Sequence, residues 1–222
     1  FEAPNFISMD PPKHDLQRKA VTGVVAPMNL AKLEPVIRER AGWILDDLPT
    51  GESFNWVDQV SIELTTQMLA TIFDFPFEER HKLTAWSDLA TSSVATGGTL
   101  PDEDRREGLM QCLSEFTDLW NERVHWDQRE HNDLITLMAN DPATAEMDPM
   151  EYLGNLILLI VGGNDTTRNS ISGGVLGLNQ YPLEYQKLSA NPGLIPSMIP
   201  EIIRWQTPLT HMRRIAKHDV SF

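Results

Sequence analysis

From residue 10 to about residue 206, apolar side chains recur three or four positions apart, and Pro, Gly or Asp interrupts the pattern between segments. The expected fold class is therefore mainly α. Asp10-Pro11-Pro12 reads as a helix opening, an acidic N-cap followed by prolines whose missing N–H groups cost nothing there. That helix should run to about Val25, with Pro27 ending it. Further helices are predicted over residues 30–48, 56–73, 77–92, 102–126 and 131–140, and none repeats another at a fixed period, which argues against a solenoid. The interval 92–102, with Gly97-Gly98 and Pro101, is the most loop-like, either a plain surface loop or a cover over a pocket. Only residues 213–222 alternate like a strand, so a short β segment is expected at the C-terminal end.

A second marked opening is Asp148-Pro149-Met150-Glu151, with an N-cap acid, proline at the first helical position, and a glutamate placed to reach back to an orphan N–H. No strong stop follows until Pro182, which gives a helix of about 33 residues, or roughly 50 Å at 1.5 Å per residue. The run Leu156-Ile157-Leu158-Leu159-Ile160-Val161 is apolar all round and predicts burial on every side. Asn164, Asp165 and Arg168 interrupt it too early for a membrane span. Such a helix should cross the whole domain and form its centre.

Composition narrows the function. A hydrophobic share of 41% in 222 residues suffices for one substantial core, or at most two small ones. A formal charge of −14 argues against nucleic acid or an anionic membrane as the main partner. The single cysteine, Cys112, excludes an internal disulfide framework and any metal site built from several thiolates, and it fits a reducing cytoplasm. The chain opens without a signal-like segment or an initiator methionine and stops on an unfinished alternation, so it reads as an excerpt of something longer.

The chemistry concentrates in Gly162-Gly163-Asn164-Asp165-Thr166-Thr167, in the middle of the long helix. Paired glycines weaken a helix, and a carboxylate with hydroxyls follows at once. Such a segment serves either close helix packing or a local distortion beside a cofactor. Two further groups stand out. His14 and Arg18 lie four apart and share one helix face, suited to two contacts with one anion or to a solvated basic face. Glu201 and Arg204 face each other at i and i+3, as Glu103 and Arg106 also do.

In its residue order, Gly162-Gly163-x-Asp165-Thr166-Thr167 resembles the oxygen-binding helix of the cytochromes P-450. Glu201-Ile202-Ile203-Arg204 is similar to that family's Glu-x-x-Arg helix, and Asp10-Pro11-Pro12-Lys13-His14-Asp15-Leu16-Gln17-Arg18 to its haem-propionate segment, in the right order along the chain. The resemblance implies a partial cytochrome P-450 fold, a bacterial class I monooxygenase and haem b as cofactor. It further implies propionate contacts from His14, Arg18 and Arg214, room for dioxygen and substrate at Gly162 and Gly163, and proton delivery by Asp165 and Thr166, the latter also beside the cofactor. Glu201 and Arg204 become a structural ion pair. Pro200 departs from the family pattern, which places the start of that helix at Ser197 as N-cap. Cys112 precedes the oxygen-binding segment, so the axial cysteine lies outside this sequence, no metal ligand is assigned within it, and the excerpt alone is expected to be inactive.

Residues 69–76 and 203–209 look like the alkane-hydroxylating branch of that family, which implies terminal hydroxylation of medium-chain alkanes or fatty acids. Leu89, Val94, Leu158, Val161 and Leu209 are candidates to line an apolar channel or to be ordinary core. The implied electron donors are a ferredoxin and its reductase, with Lys13, Arg18 and Lys19 as a docking surface for an acidic partner. Two rival classes stand beside this one. An all-α isoprenoid synthase would use Asn164-Asp165 to hold magnesium, although Arg168 would repel the metal. A non-enzymatic helical interaction module would need no cofactor.

Overall fold

The computed structural model describes residues 3–92, 98 and 100–221. The chain divides into two compact units, Phe1–Asp165 and Thr166–Phe222. The first contains α1 (Lys13–Thr22), α2 (Pro27–Asp46), a π-helical stretch (Val57–Ile62) running into α3 (Glu63–Phe73), α4 (His81–Thr91), α5 (Asp102–Arg123) and α6 (Leu134–Asn140). The long helix α7 (Pro149–Gln180) passes from the first unit into the second, which adds α8 (Pro182–Ala190) and α9 (Ile195–Gln206). No strand occurs among the described residues, and the expected β segment is absent from residues 213–221, because an alternating segment without a neighbouring strand has nothing to satisfy its backbone.

Several boundaries differ from expectation for physical reasons. Pro27 opens α2 at its first helical position instead of merely ending the segment before it, a site where its missing N–H is harmless. α1 is shorter than residues 10–25 and begins after Pro12 without a side-chain cap. Glu151 does not close a capping box: it holds Lys13 Nζ at 2.6 Å and accepts from Gln17, both on α1. Asp148 alone caps α7, accepting from the Met150 N–H at 2.8 Å. Leu194, not Ser197, precedes α9, and Ser197 Oγ donates to the Leu194 carbonyl at 2.8 Å from within the first turn. Candidate residue Val94 lies outside the described residues.

The core of the first unit is aromatic at its centre. Phe73, Phe75, Trp86 and Phe116 meet with ring centroids 5.3 to 5.8 Å apart, in the tilted and edge-on arrangements that aromatic quadrupoles favour. α7 contributes Leu153, Leu156 and Ile160, all fully buried. It is not enclosed on every side, since Leu158, Leu159 and Val161 are only half-buried. A buried ion pair ties α5 to α6: Arg123 Nη1 donates to Asp133 Oδ1 at 3.1 Å and to the Phe73 carbonyl at 3.0 Å. Asp133 also caps α6 by accepting from the Thr136 N–H at 2.8 Å. The second unit packs α9 onto α7 over small residues, with Ile202 against Gly174 and Trp205 against Gly177.

Candidate functional site

The glycine pair does not break α7, which is helical throughout Pro149–Gln180, so the expected distortion is not observed. The two glycines do different work. A Cβ on Gly163 would stand 2.7 Å from Leu69 Cδ2, so this glycine lets α3 approach closely. A Cβ on Gly162 would meet nothing within 4 Å among the described residues. At about 100° per residue, Leu158, Gly162 and Asp165 share the face opposite Leu156, Ile160 and Asn164. The buried face therefore explains Gly163 but not Gly162, where a helix-weakening residue borders open space.

Two hydrogen bonds fix this segment within the first unit. Asn164, fully buried, meets Thr65 Oγ1 of α3 at 3.1 Å through its Oδ1, while its Nδ2 finds no hydrogen-bond partner. Ser87, fully buried on α4, donates from Oγ to Asp165 Oδ1 at 3.1 Å. A hydroxyl donor of this kind holds the carboxylate in one orientation. Asn164 was named in the sequence as part of the motif, whereas Thr65 and Ser87, which hydrogen-bond it and Asp165, were not. The polar residue at 164 in an otherwise apolar helix was the only available signal for them.

Thr166 begins the second unit, next in α7 after Asp165. With Thr167, Ser170 and Ile171 it lines an apolar-walled cleft of about 890 Å³ whose far side is Ile202, Ile203 and Leu209. Glu201 and Arg204 form a two-pronged pair at 2.8 and 2.6 Å on α9. The hydrogen bond from Arg204 draws the Glu201 carboxyl below its ordinary range. Both side chains are largely exposed. Arg214 lies in the segment without regular structure, its Nη1 donating to the Arg213 carbonyl at 2.7 Å.

On α1, His14 is half-buried and Arg18 exposed, one helical turn apart. α1 is anchored to α7 by Lys13 and Gln17 on Glu151 and by Asn155 Nδ2 donating to Gln17 Oε1 at 3.3 Å. Asn155 also accepts from the Phe6 N–H at 2.8 Å, and His14 Nδ1 stands 2.7 Å from the Phe6 carbonyl oxygen. Lys13 thus has its charge matched by Glu151, which leaves Arg18 and Lys19 as the exposed cations of this helix.

Cys112 is fully buried and its thiol is pushed far up by desolvation, with Glu115 adding to the shift. A thiol held protonated in a sealed core is not a metal ligand. Among the described residues no group of three or more His, Cys, Asp or Glu side chains could hold a metal ion, and no helix is long and apolar enough to cross a membrane. His14 and Arg18, one turn apart on α1, have the chemistry to hold the carboxylates of a bound group, whereas Cys112 does not suit the ligation of a metal.

No family model matches the chain. Relatives and solved structures do. Linalool 8-monooxygenase of Pseudomonas putida is 33% identical over 220 residues, 96% of this chain and 52% of that protein. Methyl-branched lipid omega-hydroxylase of Mycobacterium bovis is 27% identical over 223 residues, 97% of this chain and 51% of that protein. Among solved structures, cytochrome P-450-153 from Novosphingobium aromaticivorans superposes with a TM-score of 0.86 at 41% identity, over 99% of this chain and 52% of that one. CYP153D17 from a Sphingomonas species gives 0.83 at 46% identity, over 92% of this chain and 51% of that one. The chain spans about half the length of these relatives. Over that span the chain is homologous to cytochromes P-450 and shares their fold.

Proposed function

We propose that the protein works as a haem-thiolate monooxygenase, inserting one oxygen atom from dioxygen into the terminal C–H bond of medium-chain alkanes or fatty acids. Gly162 carries this proposal: a helix-weakening residue beside open space, next to a carboxylate and a hydroxyl in sequence, fits a helix that borders a bound group. Haem b held by a thiolate would supply dioxygen activation when bound. Asp165 and Thr166 hold and pass protons, and Ser87 orients Asp165 by its hydrogen bond. His14 and Arg18 would hold haem carboxylates, and Glu201 with Arg204 would stabilise α9. The thiolate comes from outside these 222 residues, because Cys112 is sealed in the core, and the stretch by itself is not expected to catalyse.

The substrate class rests on the likeness of residues 69–76 and 203–209 to alkane hydroxylases, and on similarity to the two 153-type structures and to a lipid omega-hydroxylase. Terminal attack needs an apolar channel that presents a chain end, since hydrophobic contact alone separates neighbouring methylenes poorly. Leu158 and Val161, half-buried on α7, suit such a wall, whereas Leu89 packs against the core. Electrons come from a ferredoxin and its reductase in the cytoplasm, with the exposed Lys19 as a docking cation. Thr166→Ala in the full-length protein tests the proton role. Electrons should be diverted from product to hydrogen peroxide by about tenfold or more, and unchanged coupling removes Thr166 from the proton path.

A further inference from the structure

We infer that Thr66 and Thr84 form a hydroxyl spacer that sets how closely α4 lies against α3, and so act as positioning residues for Asp165. This rests on the proton role proposed above for Asp165 and concerns what keeps its hydrogen-bond donor within reach. A threonine inside a helix ordinarily returns its hydroxyl hydrogen to a carbonyl one turn back. Thr71 does so at 3.0 Å, Thr91 at 3.0 Å and Thr117 at 2.6 Å. Thr66 on α3 and Thr84 on α4 do not. Among the described residues their hydroxyl oxygens meet each other instead, 2.6 Å apart, and both side chains are buried. Two helices thus give up local bonds for one shared contact between them.

α3 is the fixed reference for this contact. Thr65, the residue before Thr66, bonds Asn164 of α7 at 3.1 Å, and Leu69, one turn on, packs against Gly163. On α4, Ser87 lies one turn beyond Thr84 and shares its face. The hydroxyl pair therefore seats α4 on α3, and that seating brings Ser87 Oγ to 3.1 Å from Asp165 Oδ1. Only a hydrogen bond lets two side-chain atoms stand 2.6 Å apart, whereas two methyl carbons in the same place need about 3.5–4.0 Å. An apolar pair would thus push α4 away from α3 by about 1 Å. The Ser87 bond has slack of only about 0.4 Å, since a separation of about 3.6 Å is no longer a hydrogen bond. The short oxygen–oxygen spacing at Thr66 and Thr84 is what allows Ser87 to reach Asp165.

The test compares full-length holoprotein as wild type, as Thr66→Val with Thr84→Val, and as Thr84→Ser, by the share of consumed electrons recovered as hydrogen peroxide and by urea denaturation. Removing both partners of a buried hydrogen bond strands neither, so the double variant should unfold at no lower urea concentration than Thr84→Val alone, which strands Thr66. Its peroxide share should nevertheless rise by about threefold. Thr84→Ser keeps the hydroxyl and should stay at the wild-type share. The rise should disappear when the compared proteins already carry Ser87→Ala. A double variant coupled as well as wild type, or a Thr84→Ser protein uncoupled as far as the double variant, would overturn the inference. If the double variant does not fold, Thr84→Val against Thr84→Ser makes the same comparison. An Asp165→Asn protein with wild-type coupling would instead overturn the proton role of Asp165.

Discussion

Alanine at position 162 separates what the helix needs from what a bound group needs. Gly162 lies inside α7, where glycine costs about 1 kcal/mol relative to alanine. A Cβ added there meets nothing within 4 Å among the described residues. Gly162→Ala should therefore stabilise the protein by about 0.5–1 kcal/mol. At Gly163 the same helix gain is opposed by contact with Leu69 Cδ2 at 2.7 Å, and Leu69 is only 3% exposed. Overpacking of this kind costs about 1–3 kcal/mol, so Gly163→Ala should come out neutral to about 2 kcal/mol destabilised. Urea denaturation of full-length protein measures both. If the space at Gly162 belongs to substrate and dioxygen, the stabilised Gly162→Ala protein should bind an alkane or fatty acid at least about fivefold more weakly, as read from the substrate-induced shift of the haem band. A Gly162→Ala protein with unchanged substrate binding and unchanged electron coupling would refute the reasoning.

Asp133 has two duties that substitution can separate. Asp133→Ala takes from buried Arg123 one of its two carboxylate partners, Asp74 at 3.3 Å being the other, at up to about 3–5 kcal/mol, and removes the α6 cap, at about 1 kcal/mol more. Asp133→Asn keeps an oxygen for the cap and should lose measurably less in a urea titration; equal losses would mean that the cap contributes nothing. Ser87→Ala removes a donor from Asp165 and should cost about 1–2 kcal/mol. It should also raise the peroxide share of consumed electrons, an increase that should vanish when Ser87→Ala is added to Asp165→Asn. Additive effects of the two substitutions would mean that Ser87 does not act through Asp165.

What could be read from the sequence was local. Pro149 at the first helical position and Pro182 past the last bounded α7 correctly, because both signals act within one turn of the helix end. Gly162, Asp165 and Thr166 were legible as a motif, and Cys112 as a buried thiol. Pro27 was ambiguous, since proline both stops one helix and starts the next. The misread features depend on distant partners. Glu151 looked like a capping residue but is taken by Lys13 and Gln17, more than 130 positions away. Asn164 and Ser87 acquire their roles only when α3 and α4 pack beside α7. The alternation at residues 213–221 has the period of a strand, but period alone does not supply a neighbour.

The most direct measurement is the reduced carbon monoxide difference spectrum of the full-length protein, taken for wild type and for Cys112→Ala. A red-shifted Soret band of thiolate-ligated haem, the same in both proteins, is the expected result. Its absence from the wild type, or its loss in Cys112→Ala, would contradict a haem held by a cysteine outside these 222 residues and bordered by Gly162 and Asp165.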